Sequence, residues 1–265
     1  MRFAKAHACG NDFLVVDGPC DPDLAKRLCD RHTGIGADGV EFVQPSGPLS
    51  GRIRLVNADG SVAEISGNGT RCVAAWLAHQ SHASAGDRIT LETDAGPRTC
   101  IIMSAAKGEF QIAAGMGVPE VHQTHIALTD KTLVHGVQVS MGNPHFVVVV
   151  HDENFRAHGR GWQELGREIC FHPQFPHQTN VEFVRIVRAD QIEIRIFERG
   201  VGPTTSSGTG TCASAAAVLA FCGGQSPILV RAPGGSQKVE WTGASAEMIL
   251  TGSASLIAAG EVLLA

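Results

Sequence analysis

The chain has eight cysteines, yet no two stand in C-x-x-C spacing and no regular interval relates them. That argues against a disulfide framework and fits reduced thiols in a cytosol. Basic clusters are missing as well: the 21 Lys and Arg are scattered through a chain of formal charge −5, which argues against a nucleic-acid surface. None of the twelve histidines stands in H-x-H or H-E-x-x-H spacing, so a metal centre is not expected. Long hydrophobic runs are absent too. The opening residues Met1 to His7 lack the apolar core of a signal peptide. The longest apolar run, around Ala215 to Cys222, is too short to span a bilayer. The expectation is a cytoplasmic protein that meets a small molecule, with neither nucleic acid nor membrane as partner. At 265 residues, 43% of them hydrophobic, the chain can bury a large core and hold two domains.

What the sequence does contain, it contains twice. Ser66-Gly67-Asn68-Gly69-Thr70 leads into Arg71-Cys72-Val73-Ala74-Ala75-Trp76-Leu77-Ala78, and Ser207-Gly208-Thr209-Gly210-Thr211 leads into an alanine-rich run to Ala220. Each reads as a glycine-bearing turn that opens a buried helix, with serine where an N-cap belongs. A helix start offers free N–H groups and positive partial charge, a seat for a carboxylate or phosphate. Ser207 lies 141 positions after Ser66. At the same offset Ile53 to Asn57 becomes Ile194 to Glu198, and Gly39-Val40-Glu41-Phe42-Val43 becomes Asn180-Val181-Glu182-Phe183-Val184. With a shorter offset, Gly10-Asn11 before Phe13 to Val16 resembles Gly142-Asn143 before His145 to Val149. Two halves of one ancestral unit are expected, each aiming a helix start and a serine at a shared cleft.

Along the chain, strands are expected over Arg2 to Val16 (broken by a turn at Gly10-Asn11), Val40 to Val43, Arg52 to Val56, Ile89 to Thr93, Arg98 to Met103 and Glu109 to Ala113. Helices are expected over Pro22 to Arg31 and Gly67 to about Gln80. Gly34-Ile35-Gly36-Ala37-Asp38-Gly39 has the dinucleotide fingerprint's spacing but follows a helix and precedes a strand, the reverse of the context that motif needs. Met116 to Pro119 marks a boundary. Beyond it come strands at His135 to Val139, Phe146 to Val150, Asn180 to Val187, Ile192 to Phe197, Ile228 to Arg231, Lys238 to Trp241 and Ala246 to Leu250. A helix lies within Asp152 to Cys170, and the second glycine-led helix ends at Gly223-Gly224. Ala254 to Leu264 reads as a last strand pair returning to the first half. The domains expected are residues 1–116 with 253–265, and 117–252. The class is α+β: two pseudo-symmetric halves, each a curled antiparallel sheet wrapped around a central helix.

These strings resemble the diaminopimelate epimerase family over nearly the whole chain: G-N-D-F at Gly10, H-T-G-I-G-A-D at His32, N-A-D-G-S at Asn57, S-G-N-G-T-R-C at Ser66, S-M-G-N-P-H at Ser140, T-N-V-E-F at Thr179, E-R-G-V-G at Glu198, S-G-T-G-T-C-A at Ser207 and A-P-G-G-S at Ala232. The resemblance implies two similar α+β halves with the active site in the cleft between them, no cofactor, and an isomerase that interconverts L,L- and meso-diaminopimelate in lysine and peptidoglycan precursor synthesis. It leaves a homodimer open. In the family two cysteines flank the substrate Cα, one removing the proton and the other returning it. The resemblance puts those roles on Ser66 and Ser207. It puts the proximal carboxylate on the helix starts at Gly67-Asn68 and Gly208-Thr209, and the distal amino acid on Asn57, Asn143, Asn180, Glu198 and Arg199, with Asn11 nearby. A family position usually held by glutamine falls on Gly39.

Both family cysteines are serines here. A thiol ionises near pH 8.5 and lower at a helix start, whereas a serine hydroxyl needs an adjacent base. Neither serine has a His or Asp partner in its own motif, and serine is also a good N-cap. Cys72 and Cys212 lie inside their helices and are expected in the core. Three readings stay open: an epimerase with its cysteines changed to serine, an enzyme of this fold with other chemistry such as loss of water from a hydroxylated amino acid, and a non-catalytic amino-acid-binding protein.

Overall fold

The computed structural model describes residues 1–63 and 65–263. In chain order the strands and helices are β1 (Arg2–Ala8), β2 (Asn11–Asp17), α1 (Pro22–Cys29), β3 (Gly39–Gly47), β4 (Ser50–Asn57), β5 (Val62–Ala63), α2 (Gly67–Gln80), β6 (Arg88–Thr93), β7 (Gly96–Ala106), β8 (Glu109–Gly115), β9 (Glu120–Ala127), β10 (Leu133–Ser140), β11 (Pro144–Val150), α3 (Trp162–Cys170), β12 (Asn180–Arg188), β13 (Gln191–Glu198), β14 (Gly202–Thr204), α4 (Gly208–Phe221), β15 (Ile228–Ala232), β16 (Gly235–Glu240) and β17 (Ile249–Glu261). They form two compact units. The first is Met1–Gly115 with the segment from Thr251, and the second is Met116–Leu250.

In the first unit the pairings close on themselves, and the fold is a sheet-dominated repeat. β1 pairs with β2, β2 with β3, β3 with β4, β4 with β6, β6 with β7, β7 with β8, β8 with β17, and β17 with β1. Helix α2 packs against β1, β2, β3, β6, β7 and β8, and every residue from Gly67 to Ala78 is buried. In the second unit β9 to β13 pair in order, with β15 beside β13 and β16 beside β15. Helix α4 packs against β9 to β13, β15 and β16, and is buried from Gly208 to Val218.

Not every pair is antiparallel, as the sequence led us to expect. β2–β3, β4–β6, β11–β12 and β13–β15 are parallel. The reason is topological: a helix lies between the members of each pair, and a parallel step needs such a crossover. α1 and α3 serve the first pair of each unit. Leu28 and Cys29 of α1 pack with Leu14, Val16, Val40 and Phe42; Leu165 and Ile169 of α3 pack with Phe146, Val148, Val181 and Phe183. Since alternate strand residues point to opposite faces, Glu41 and Glu182 belong to the other face of β3 and β12.

Other boundaries also differ. The expected closing strand pair is one strand, β17, running beside β1 from Arg2↔Glu261 to His7↔Ser255 with a bulge between Lys5 and Ala6; Leu264 lies outside the described residues. Ala246 is in a turn, its N–H donating to Gly243 O, and the strand starts only at Ile249. Within Asp152 to Cys170 only Trp162–Cys170 is helical. β5, β9 and β14 carried no readable signal. β9, Glu-Val-His-Gln-Thr-His-Ile-Ala, is largely polar and exposed.

Candidate active site

The 141-residue repeat is a repeat of hydrogen bonds as well as letters. Ser66 and Ser207 are extended N-cap residues, at φ −125°, ψ 122° and φ −145°, ψ 130°. Ser66 Oγ accepts from Gly69 N at 3.1 Å and Ser207 Oγ from Gly210 N at 3.2 Å. Thr70 and Thr211 hydroxyls each donate to the cap carbonyl at 2.7 Å. Each serine thus satisfies one of the free N–H groups of a helix start.

In the first unit the α2 start gathers Asn11, Asn68 and Arg71. Asn68 Nδ2 donates to Asn11 Oδ1 at 3.2 Å, Asn11 Nδ2 donates to Asp38 Oδ2 at 2.7 Å, and the buried Arg71 guanidinium donates to Asn68 Oδ1 at 2.7 Å and Gly67 O at 3.0 Å. Asp38 is held in turn by Arg31 at 2.9 Å, which also grips Asp12 at 2.8 and 3.1 Å, with Lys5 3.0 Å from Asp12. Partial burial would raise the Asp12 carboxyl, but its bonds to Arg31 and Lys5 outweigh that and hold it at about 2. Asn57 ends β4 opposite Gly39, and its Nδ2 donates to Ser61 Oγ at 3.0 Å.

In the second unit a longer chain of contacts reaches the α4 start. Glu182 and His145 are fully buried, with Glu182 Oε1 2.8 Å from His145 Nδ1. His145 Nε2 is 3.0 Å from Asn143 Oδ1, and Asn143 Nδ2 donates to Thr209 Oγ1 at 3.4 Å. Thr209 Oγ1 is 3.5 Å from Ser207 Oγ. A carbonyl oxygen only accepts, so with Asn143 placed this way His145 Nε2 must carry a hydrogen. The Glu182–His145 contact then shares one further proton, held by either atom. Burial raises the Glu182 carboxyl and His145 opposes the rise. Asn180 Nδ2 donates to Pro144 O at 3.2 Å and its Oδ1 accepts from Arg199 N at 2.9 Å. Glu198 closes β13, and the Arg199 guanidinium donates to His177 O at 3.3 Å.

The structure therefore brings Asn11, Ser66, Gly67 and Asn68 together in one unit, and Asn143, Ser207, Gly208 and Thr209 in the other, with Asn180 joined to Arg199. Cys72 and Cys212 are buried in their helices, and burial pushes the Cys72 thiol up. Gly34 to Asp38 precede β3 as an irregular segment. Sequence reasoning passed over Glu41 and Glu182 although both sat inside the matched blocks. A charged residue repeated at the same place in two apolar strands was the available signal, since such a residue is almost never fully buried without a reason.

The sequence profile described as Diaminopimelate epimerase matches residues 3–121 and 137–257. A diaminopimelate epimerase of Pseudomonas fluorescens (strain Pf0-1) is 37% identical over 283 aligned positions, covering 100% of this chain and 99% of that protein. One of Thermosynechococcus vestitus is 36% identical, covering 99% of each. Solved structures share the fold at lower identity. A predicted epimerase from Pseudomonas aeruginosa superposes with a TM-score of 0.76 at 17% identity, covering 100% of this chain and 99% of that one. A probable proline racemase from Agrobacterium radiobacter K84 superposes at 0.73 and 18%, covering 100% and 93%. The chain belongs to the diaminopimelate epimerase family, and is an isomerase of the amino-acid epimerase and racemase kind.

Proposed function

We propose that this chain epimerises diaminopimelate at Cα, interconverting the L,L- and meso-forms by proton transfer on two faces, with Ser66 and Ser207 at the two proton-transfer positions. The observation that carries the assignment is the identity of the two helix starts: same cap, same threonine, same register. Each sheet is read as curling round its serine-capped helix, with one substrate served by both helix starts. The proximal carboxylate would lie on the N–H groups around Gly67-Asn68 and Gly208-Thr209. That seat stabilises the charge that develops when the α-proton leaves. Glu198 would pair with the distal ammonium and Arg199 with the distal carboxylate, beside Asn57, Asn143 and Asn180, with Asn11 bracing Asn68. Two acid–base groups suit inversion, because one alone tends to return the proton to the face it left. The scheme uses no pyridoxal phosphate and no metal, so activity of dialysed protein should survive EDTA.

Serine does this work poorly, because near pH 7 a few per cent of an ordinary thiol is ionised and almost no serine is. Replacing Ser66→Cys and Ser207→Cys together should therefore raise epimerisation by orders of magnitude, read as interconversion of the two diastereomers. Each single replacement should wash deuterium from D2O into Cα faster than it epimerises. A double variant that binds diaminopimelate and stays inert would remove the two serines from the proton path. One observation favours a second reading, binding without turnover: both hydroxyls are engaged as helix caps. Wild-type protein that binds diaminopimelate yet exchanges no Cα hydrogen would select it.

A further inference from the structure

Glu41 is the member of the matched pair that has no hydrogen-bond partner among the described residues. Its residue is 1% exposed, and neither carboxylate oxygen has a hydrogen bond among the described residues. Its counterpart Glu182 has His145. The register explains the difference. β11 pairs with β12 with His145 opposite Asn180, and β2 pairs with β3 with Phe13 opposite Gly39. Phe13 therefore stands where the other unit has its imidazole. The Glu41 carboxyl points at the first turn of α2: a methyl group added to Gly69 would lie 1.9 Å from Oε1. Gly69 is the residue whose N–H caps onto Ser66.

We propose that Glu41 is a positioning residue for the α2 start, a buried carboxyl group whose ionisation and the binding of a substrate carboxylate at Gly67-Asn68 exclude each other. The inference rests on the reading of that helix start as the seat of the proximal carboxylate. A helix start attracts one negative charge from either side, and in a water-poor site two nearby anions repel strongly. With Glu41 neutral no second anion competes with the substrate carboxylate for the positive end of the helix. With Glu41 ionised, its charge competes for the same positive pole. Binding at alkaline pH must then restore the proton: one proton is taken from solvent by the Glu41 carboxylate as one substrate carboxylate is seated, and no other bond changes. Burial pushes the Glu41 carboxyl up to about 8, which places the switch just above neutrality. The register neighbours of Glu41 are Val15 and Leu55, which do not titrate. On α2 the titratable and charged neighbours are Cys72 and Arg71, with Cys9 and Asp12 acting on the same Cys72. Arg71 is turned to Gly67 O and Asn68, and Cys72 stays a neutral thiol.

The test is calorimetry of meso-diaminopimelate binding at pH 7, 8 and 9, each in two buffers of different ionisation enthalpy. The expected result is proton uptake of order half a proton at pH 8, and an affinity that falls up to about tenfold per pH unit above that. In Glu41→Gln the amide has no proton to lose. Uptake at pH 8 should shrink to the part that the ligand's own ammonium groups take up, and the fall in affinity from pH 7 to pH 9 should flatten to what those groups cause. A merely structural role would shift affinity equally at every pH and leave the slope in place, and that result overturns the proposal. If Glu41→Gln does not fold, the wild-type result alone decides, since absent proton uptake at pH 8 overturns it as well. If diaminopimelate does not bind at any pH, the substrate reading fails separately. Sulfate is then the probe. The midpoint of the Glu41 carboxyl, followed by carbon-13 NMR, should rise on adding sulfate, and an unmoved midpoint overturns the inference.

Discussion

At the scale of single residues, two of the shifted carboxyl groups move in opposite directions, and each gives stability a pH dependence of its own. Glu41 is raised from 4.5 to about 8. Between those values the folded chain holds a proton that the unfolded chain has released, so stability falls as pH rises through the window and levels off above about 8. Glu41→Gln removes that slope. The variant should melt at a higher temperature than wild type at pH 9, by roughly 1–3 kcal/mol of unfolding free energy, and the gap should close toward pH 4. Asp12 runs the other way. Held at about 2 by Arg31 and Lys5 against its own burial, it stabilises the fold fully above the unfolded value near 4 and loses that contribution as pH falls toward 2. Arg31 is half exposed, so solvent screening keeps the effect small. Arg31→Ala should cost about 1 kcal/mol at pH 7 and nothing measurable near pH 2, by denaturant titration at both values.

At the scale of elements, the second glycine of each serine-capped helix lies against a buried glutamate of its own unit. A methyl group at Gly69 would lie 1.9 Å from Glu41 Oε1, and one at Gly210 would lie 2.7 Å from Glu182 Oε1 and 3.3 Å from Ser207 Oγ. Gly69→Ala should therefore destabilise the first unit by roughly 2–4 kcal/mol. Adding Glu41→Ala should recover most of that loss, a coupling that chemical denaturation of the four-member cycle would measure. Non-additivity of less than about 0.5 kcal/mol would mean the methyl group finds another way out. Helices of this kind were the most legible part of the sequence. Ser66 and Ser207, the glycines behind them and the alanine-rich run to Phe221 announce a capped, buried helix in the letters alone. So did β3 and β12, as apolar runs at matched positions. β9 was not legible, because its exposed His122, Gln123 and His125 break any alternation, and its place is set by eight pairings with β10 from Leu133↔Ala127 to Ser140↔Glu120. The merger of the last segments into β17 was hidden for a related reason: a bulge opposite Lys5 lets one long strand change register without any turn residue to mark it. The Glu182–His145–Asn143–Thr209 chain was out of reach as well, since it joins residues whose adjacency comes only from parallel pairing of β11 with β12.

At the scale of the whole molecule, the second unit is one continuous stretch of chain, whereas the first is completed only when β17 arrives from the far end. β17 lies against β1 and β8, and Ser255 Oγ bonds Glu109 in addition. A chain ended at Leu250 would leave both strands as open edges. Hydrogen exchange should then show β1, β2 and β8 losing protection while β11 to β13 keep theirs, and loss spread evenly over both units would show that they fold as one. The division of labour between the units has a chemical side too. In one unit the buried Glu182 meets an imidazole, and in the other Glu41 has no hydrogen-bond partner among the described residues. The two units repeat the same letters at their helix starts yet differ in what faces the buried glutamate. A catalyst with unlike halves need not treat its two diastereomers as mirror tasks. Started from pure L,L- or pure meso-diaminopimelate in heavy water, it should stamp solvent isotope into the two pools at unequal initial rates, and Phe13→His should draw those rates together.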